Sequence, residues 1–169
     1  MTQPKAFGVL EKVNRIDGLL AIERELRSLL DSRLKRYGVT YAQFSVLRYV
    51  CSPVDRYGKP LGRPARHSDV AAWFDYASRT VTEVVTLLCK DGLVERTVYE
   101  ADRRSRILTA SARGRRLIDQ AEPVVDLAYS DIARHLSLAS DFGLDRIIRL
   151  IRHGIADSAA YDERHRLKR

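Results

Sequence analysis

The sequence has few of the features that identify membrane, secreted or catalytic proteins. No run of about 18 apolar residues occurs, so no membrane-spanning helix is predicted. With only two cysteines and no apolar targeting segment, the chain is expected in a reducing, cytoplasmic environment. It has no glycine-rich phosphate loop, no nucleophilic triad pattern and no metal-ligand spacing among its four histidines, so no enzyme activity, cofactor or metal is expected.

Positive charge is the main feature that the chain has in excess. It carries 30 lysines and arginines against 22 acidic residues, a net charge of +8. Such an excess favours a polyanionic partner, nucleic acid ahead of a membrane surface, although it also serves solubility. At 169 residues with 45% apolar content, the chain suits one domain or one domain with an added helical layer.

The first third of the chain predicts two helices followed by a loop. Apolar residues recur at helical spacing from residue 9 to 37, and Gly38 ends that helix. Thr40 can cap a second helix with Phe44, Leu47 and Val50 inward. Residues 52–66 hold three prolines, two glycines, four basic residues and one acid, and they read either as a mobile solubilising loop or as a phosphate contact.

The middle of the chain predicts a short helix, a tight turn, a second helix and a β-hairpin. Ser68 can cap the short helix, with Val70, Trp73 and Phe74 inward, and a turn follows at 75–77. Val81, Val84, Val85 and Leu88 form the buried stripe of the next helix, which Gly92 ends. Residues 93–99 and 107–109 pair as strands around a tip at 100–105. This order is a winged helix-turn-helix in a mainly α protein.

The last third of the chain predicts two more helices and a tail. An apolar stripe runs from Leu117 to Ile132, and Pro123 predicts a kink or break near residues 119–122. Ser140 or Asp141 starts a last helix, and the charged tail is expected to be frayed.

The helix over 78–91 has a polar face that suits the major groove of DNA. Opposite the buried stripe it carries Ser78, Arg79, Thr82, Glu83 and Thr86. Short hydroxyl groups and an arginine suit base edges, although every surface helix has a polar face. On the hairpin, Arg103 and Arg104 suit a minor groove, and Asp102 either holds an arginine in one direction or simply favours the turn.

Several motifs together resemble the multiple-antibiotic-resistance regulator (MarR) family of bacterial transcription factors. They are Gly38-Val39-Thr40 with Gln43-Phe44, Thr80-Val81-Thr82, the run from Gly92 to Arg96, Asp102 with Arg104, and Leu108-Thr109. The likeness covers roughly residues 10–155. Departures are Ala77 in place of a capping serine, so that Ser78 or Asp75 must cap, Asp75 in place of glycine, Gly114 two residues late, and a long 52–66 loop that leaves the family's short strand unpredicted.

The resemblance implies a homodimeric regulator, in most members a repressor, on a roughly palindromic operator in double-stranded DNA. Residues 1–37 and 111–157 would form the helical dimerisation layer, 38–110 the DNA-binding lobe and 158–169 a flexible tail. Many members release DNA when a small aromatic or acidic effector binds. The candidate DNA-contacting residues are Ser68, Ser78, Arg79, Thr80, Thr82, Glu83, Thr86, Asp102, Arg103, Arg104 and Arg106.

Some alternatives stay open at this point. A winged helix can also serve as a protein-interaction module without sequence-specific DNA binding. Cys51 and Cys89 are predicted to be structural rather than redox sensors, because no basic neighbour in sequence lowers their pKa. His67 is predicted to be an exposed loop histidine, with a phosphate contact as the alternative. Trp73 is predicted to be a core residue.

Overall fold

The computed structural model describes the backbone of residues 5–99 and 102–134, together with helical positions 143, 146 and 148. Side chains are described for 17–98, 106–134 and those three positions. The chain divides into two compact units, Met1–Asp126 and Leu127–Arg169. Apart from those three helical positions, the predicted last helix and the tail lie outside the described residues.

The described elements confirm a mainly helical winged helix-turn-helix. In chain order they are α1 (Lys5–Leu34, followed by a 3-10 turn at Lys35–Tyr37), α2 (Tyr41–Cys51), β1 (Ala65–Arg66), α3 (His67–Phe74), α4 (Ser78–Lys90), β2 (Val94–Tyr99), β3 (Asp102–Ala110) and α5 (Ala112–Ala133). The three strands form an antiparallel sheet in the order β1-β3-β2.

The connection between α1 and α2 follows the predicted capping chemistry. Gly38 adopts the left-handed conformation with φ of 72°, and its N–H donates to the carbonyl oxygen of Lys35. Thr40 and Gln43 form a capping box, in which each side chain accepts a hydrogen bond from the other residue's backbone N–H. These bonds satisfy donors that the first turn of α2 would otherwise leave unpaired.

The core of the first unit lies where α1, α2, α4 and the sheet meet. Leu30 and Leu34 of α1 are buried, and all three predicted positions of α2 are buried as well: Phe44, Leu47 and Val50. From α4, Val81, Val85 and Leu88 are fully buried, whereas Val84 is only partly buried. The helical periodicity of the sequence therefore identifies the inner faces of α2 and α4.

The 52–66 segment is a closed turn that ends in a short strand. Val54 and Pro60 form a β-bridge, and one carboxylate oxygen of Asp55 accepts the N–H groups of Tyr57 and Lys59 at 2.8 and 3.0 Å. Ala65 then pairs with Leu108 of β3. The short strand that the length of the loop left unpredicted is thus present, and it pairs with the edge of β3.

Two predictions about α3 are wrong. The helix begins two residues earlier than a Ser68 cap predicts, at His67, and Arg66 rather than Ser68 occupies the N-cap position. The carboxylate of Asp69, the third residue of the helix, accepts the backbone N–H of Arg66 at 2.7 Å and so satisfies the donor at the N-cap. Trp73 is 42% exposed, because Val70 fills the core and the indole ring stacks on Tyr49 instead.

At the turn into α4, the predicted conformation of Asp75 is confirmed, and the predicted helix cap is wrong. Asp75 adopts the left-handed conformation, with φ of 52°, as expected for a residue in the place of glycine. The N-cap of α4 is Ala77, and no side chain caps it, so neither Ser78 nor Asp75 has the predicted capping role. The reason is local: the extended residue at the cap position is an alanine, which has no acceptor atom.

The hairpin is longer than predicted, and its strands reach nearer to the tip. β3 begins at Asp102, which pairs with Tyr99 across a bulge next to Val98. Asp102, Arg103 and Arg104 therefore belong to a strand rather than to the predicted six-residue tip at 100–105. The strand pairing extends past the residues with high β propensity, because the hydrogen bonds between strands use backbone N–H and C=O groups, and polar residues have these groups as well.

The α5 helix runs through Pro123 without the predicted break. Ile118, Ala121, Val125 and Ala128 are buried along one stripe, whereas Pro123 is exposed. The proline ring therefore faces solvent rather than the packed side of the helix. Ile132, predicted inward, is 41% exposed in this chain.

Candidate functional site

The polar face of α4 is fully presented to solvent. All six candidate residues on this helix are exposed: Ser78, Arg79, Thr80, Thr82, Glu83 and Thr86. Because the opposite face is packed in the core, the helix is fixed in its rotation about its own axis. The six side chains therefore form one continuous surface of hydroxyl, guanidinium and carboxylate groups, which we call the α4 face.

Arg79 and Glu83 form an ion pair along the α4 face. The Nε atom of Arg79 donates to Oε1 of Glu83 at 2.9 Å, and the two side chains are 90% and 61% exposed. In this geometry the carboxylate engages the inner nitrogen of the guanidinium group. The terminal nitrogens project further out, in the fork arrangement that pairs with guanine or phosphate acceptors.

Thr82 is held by two hydrogen-bonding partners. Its hydroxyl donates to the carbonyl oxygen of Ser78 at 2.9 Å, one turn earlier in α4. Nε2 of His67, the first residue of α3, lies 3.1 Å from the same hydroxyl oxygen. The prediction that His67 is an exposed loop residue is wrong, because the residue is helical, partly buried and in contact with the α4 face.

The pKa of His67 lies below its usual value of 6.5, first because burial disfavours the charged ring and second because Arg96 of β2 places a positive charge near it. Periodicity did not reveal this contact between α3 and α4, because it joins residues 15 positions apart. The signal available in the sequence was only that a histidine precedes a predicted helix.

The hairpin supplies the other candidate residues. Arg106 is exposed on β3, directly opposite Val98 of β2. The side chains of Asp102, Arg103 and Arg104 lie outside those that the structure describes, so the predicted contact between Asp102 and an arginine stays a prediction. Ser68 is exposed in the first turn of α3, immediately after His67.

A cavity of about 480 Å³ opens between α2, α3 and α5. Four of its eleven lining residues are aromatic, and three of these contact one another: the Tyr49 ring stacks on Trp73 at 5.5 Å between centroids and meets Phe74 edge-on at 5.9 Å. Arg48 stands at the wall with one guanidinium nitrogen 3.7 Å from a carboxylate oxygen of Glu122. Flat apolar surfaces next to one cation are suited to a small aromatic anion.

Both cysteines have the character of structural residues. Burial raises the pKa of the Cys51 thiol, although Arg115 acts in the opposite direction, and burial likewise raises the pKa of Cys89 against the charge of Arg96. A raised pKa reduces the thiolate fraction and with it reactivity. Within the described part of the chain, no cluster of potential ligands for a metal ion occurs, and no helix is long and apolar enough to cross a membrane.

Comparison with known proteins identifies the fold. Residues 60–114 match the family described as winged helix DNA-binding domain. A MarR family transcriptional regulator from Streptomyces coelicolor, solved in complex with DNA, has a TM-score of 0.72 at 18% identity over 86% of this chain and 88% of that one. For the S. aureus MepR–DNA complex, the values are 0.71 and 18%, over 80% of this chain and 94% of that one.

The transcriptional regulator BldR from Sulfolobus solfataricus has a TM-score of 0.65 at 22% identity, over 83% of this chain and 96% of its own. No curated protein matches the sequence. The Streptomyces and Sulfolobus proteins are both transcriptional regulators. The chain therefore has the fold of the MarR regulators, as the sequence motifs predicted.

Proposed function

We propose that this protein is a dimeric transcriptional regulator of the MarR type that binds a pseudo-palindromic operator in double-stranded DNA. The observation that carries the proposal is the α4 face, a rigid exposed surface of hydroxyl groups and one arginine on a helix whose opposite side is buried. An α-helix with such a surface fits the major groove, where hydroxyl and guanidinium groups meet base edges. Two of the structures with this fold were solved with DNA bound.

The hairpin supports the proposal as the second contact. Strand β3 carries Arg103, Arg104 and Arg106 in the half that is nearer to the tip. Arginine is favoured in a narrow minor groove because the negative potential is strongest there. The hairpin therefore serves as the wing that reaches the groove next to the one that α4 occupies.

Exposed apolar side chains support a dimer. On α1, Leu20 and Ile22 are 54% and 61% exposed, and on α5, Leu127 is 56% exposed. Apolar residues of this size on long helices favour a second copy that covers them. Two lobes related by a twofold axis would then meet two half-sites about one helical turn apart, which is why the operator is expected to be pseudo-palindromic.

The aromatic cavity supports a small-molecule effector. A benzoate-like ring would lie against Trp73 and Tyr49, and its carboxylate would compete with Glu122 for Arg48. The cavity includes residues of α3, and α3 leads through a short turn into α4. A small molecule bound in the cavity can therefore shift the position of the α4 face. The effector class that these groups favour is a small aromatic acid that releases the protein from DNA.

Selection of bound sequences from a random pool of duplexes tests the proposal. The expected result is enrichment of an inverted repeat, bound with a strong dependence on salt. Arg104→Ala should weaken binding to the selected sequence by about 1–3 kcal/mol, while Arg116→Ala, which removes an exposed arginine from α5, should have little effect. Failure to enrich any sequence, with equal weak binding to all duplexes, would favour the protein-interaction module instead.

A further inference from the structure

The contact between His67 and Thr82 joins the two helices of the helix-turn-helix at the α4 face. Nε2 of His67 stands 3.1 Å from the Thr82 hydroxyl oxygen, and that hydroxyl is also 2.9 Å from the carbonyl oxygen of Ser78. The first distance crosses from α3 to α4, and the second lies within α4. The hydroxyl oxygen is therefore bounded on two sides by polar atoms of the protein.

The proton on each group follows from the chemistry of a hydroxyl. The Ser78 carbonyl oxygen has no hydrogen, so at this distance it accepts the single Thr82 hydroxyl hydrogen. The oxygen then has only lone pairs to offer His67, which requires Nε2 to carry a hydrogen and donate it. Both the neutral ring protonated at Nε2 and the doubly protonated ring meet this requirement.

We propose that His67 is a positioning residue for base recognition, which fixes Thr82 so that it meets DNA as a hydrogen-bond acceptor and a methyl group, never as a donor. The inference rests on the proposed function, because it concerns how the α4 face distinguishes base pairs. A freely rotating threonine hydroxyl would accept or donate and would read either kind of base edge. With its hydrogen engaged, Thr82 favours amino groups of adenine or cytosine, or the methyl group of thymine.

The charged groups around His67 provide a second test, the dependence of DNA affinity on pH. Arg96 of β2 acts directly on the ring, whereas Asp69 on α3 is engaged by Arg63, and Glu83 on α4 is engaged by Arg79. The pKa of His67 is low in the free protein, and DNA phosphates would raise it by favouring the charged ring. Binding would then take up a proton, so affinity rises as the pH falls toward the pKa of the ring in the complex.

Four variants test the inference against a selected duplex and its single-base substitutions: His67→Ala, His67→Gln, Thr82→Ala and the double alanine variant. His67→Ala should reduce the discrimination at the base that Thr82 contacts by about fivefold, the size of one hydrogen bond. The double variant should lose no more than Thr82→Ala alone, since the histidine acts through the threonine. His67→Gln should restore discrimination at neutral pH, because its amide donates but carries no charge, and should lose the wild-type gain in affinity at low pH.

Three results would overturn the inference. They are additive losses from His67→Ala and Thr82→Ala, an equal loss on every duplex, and a pH dependence that His67→Gln leaves unchanged. If the wild-type protein itself shows no sequence preference, the proposed function fails as well; if the wild-type protein discriminates and His67→Ala discriminates equally, only this inference fails. Thermal unfolding of each variant separates loss of the contact from loss of the fold.

Discussion

The backbone of Gly114 lies so close to Leu93 that a Cβ atom on residue 114 would stand 2.2 Å from the Leu93 carbonyl oxygen. Ser111 holds the two segments together: its hydroxyl donates to the Gly92 carbonyl oxygen at 2.7 Å and accepts the Gly114 N–H at 3.0 Å. The displacement of this glycine from the family spacing therefore has a structural role. Gly114 lets the first turn of α5 pack against the start of the hairpin.

Gly114→Ala should lower the free energy of unfolding by about 2–3 kcal/mol, because a methyl group would be forced against a backbone atom that cannot move away easily. Chemical denaturation followed by circular dichroism measures this change. Gly18→Ala is the matched control, since a Cβ there has nothing within 4 Å, and it should stabilise the helix by roughly 0.5–1 kcal/mol. Equal effects of the two substitutions would show that Gly114 is not closely packed.

Asp69 should contribute to stability in a way that depends on pH. Burial acts to raise the pKa of the Asp69 carboxyl group. The hydrogen bonds from Arg63 and the Arg66 N–H, together with the charges of both arginines, lower it by more than burial raises it, so the pKa lies below the usual 3.8. A depressed carboxyl pKa means that the contribution is complete above the unfolded pKa and is lost as the pH falls through the folded value.

Asp69→Asn should therefore cost about 1–2 kcal/mol at neutral pH and should flatten the loss of stability on acidification below about pH 4. Denaturation curves at several pH values measure both effects. Glu23→Gln, which removes a surface ion pair with Arg27 on α1, should change stability by less than about 0.5 kcal/mol. A parallel acid response of the wild type and Asp69→Asn would contradict the role given to Asp69.

Breaking the ion pair between Arg79 and Glu83 should lower the preference for the selected DNA sequence and raise the affinity for random duplex DNA. Glu83→Gln removes a negative charge from the α4 face, so binding to random duplex should strengthen, while the release of Arg79 should reduce discrimination against single-base variants of the selected sequence. Arg79→Ala should lose about 1–3 kcal/mol on the selected sequence. Competition binding against both kinds of duplex distinguishes these effects, and Glu23→Gln should alter neither.

Trp73 should report directly on occupancy of the aromatic cavity. It is the single tryptophan of the chain, so any change in tryptophan emission, excited at a wavelength that tyrosine does not absorb, comes from this residue. Titration with benzoate should change its emission and lower DNA affinity, whereas uncharged benzamide should have a weaker effect because Arg48 favours an anion. Arg48→Met should remove the advantage of benzoate over benzamide. Equal responses to both compounds would exclude a carboxylate site at Arg48.

Helix caps, turns and helix ends were predictable wherever they depend on residues that are adjacent in the sequence. The Thr40 cap, the left-handed Asp75 and the Gly92 stop each depend on a few adjacent residues, and each was predicted correctly. The inner face of α4 was predicted because a period of 3.6 residues marks one side of a helix. The cap assigned to Ser68 is two positions too late, because α3 begins at His67 and the Asp69 carboxylate accepts the backbone N–H of Arg66, the residue at the N-cap.

The sequence by itself determined the order and type of the described helices and of the hairpin, because helix periodicity, turn residues and β-rich segments act over short distances; β1, which depends on pairing with β3, was not predicted. Only the tertiary structure decided how those elements meet: that His67 reaches Thr82, that Trp73 opens onto a cavity with Tyr49, and that Gly114 touches Leu93. Each of these contacts joins residues more than a dozen positions apart. Their geometry depends on how helices and strands pack together, and no local pattern of residues encodes it.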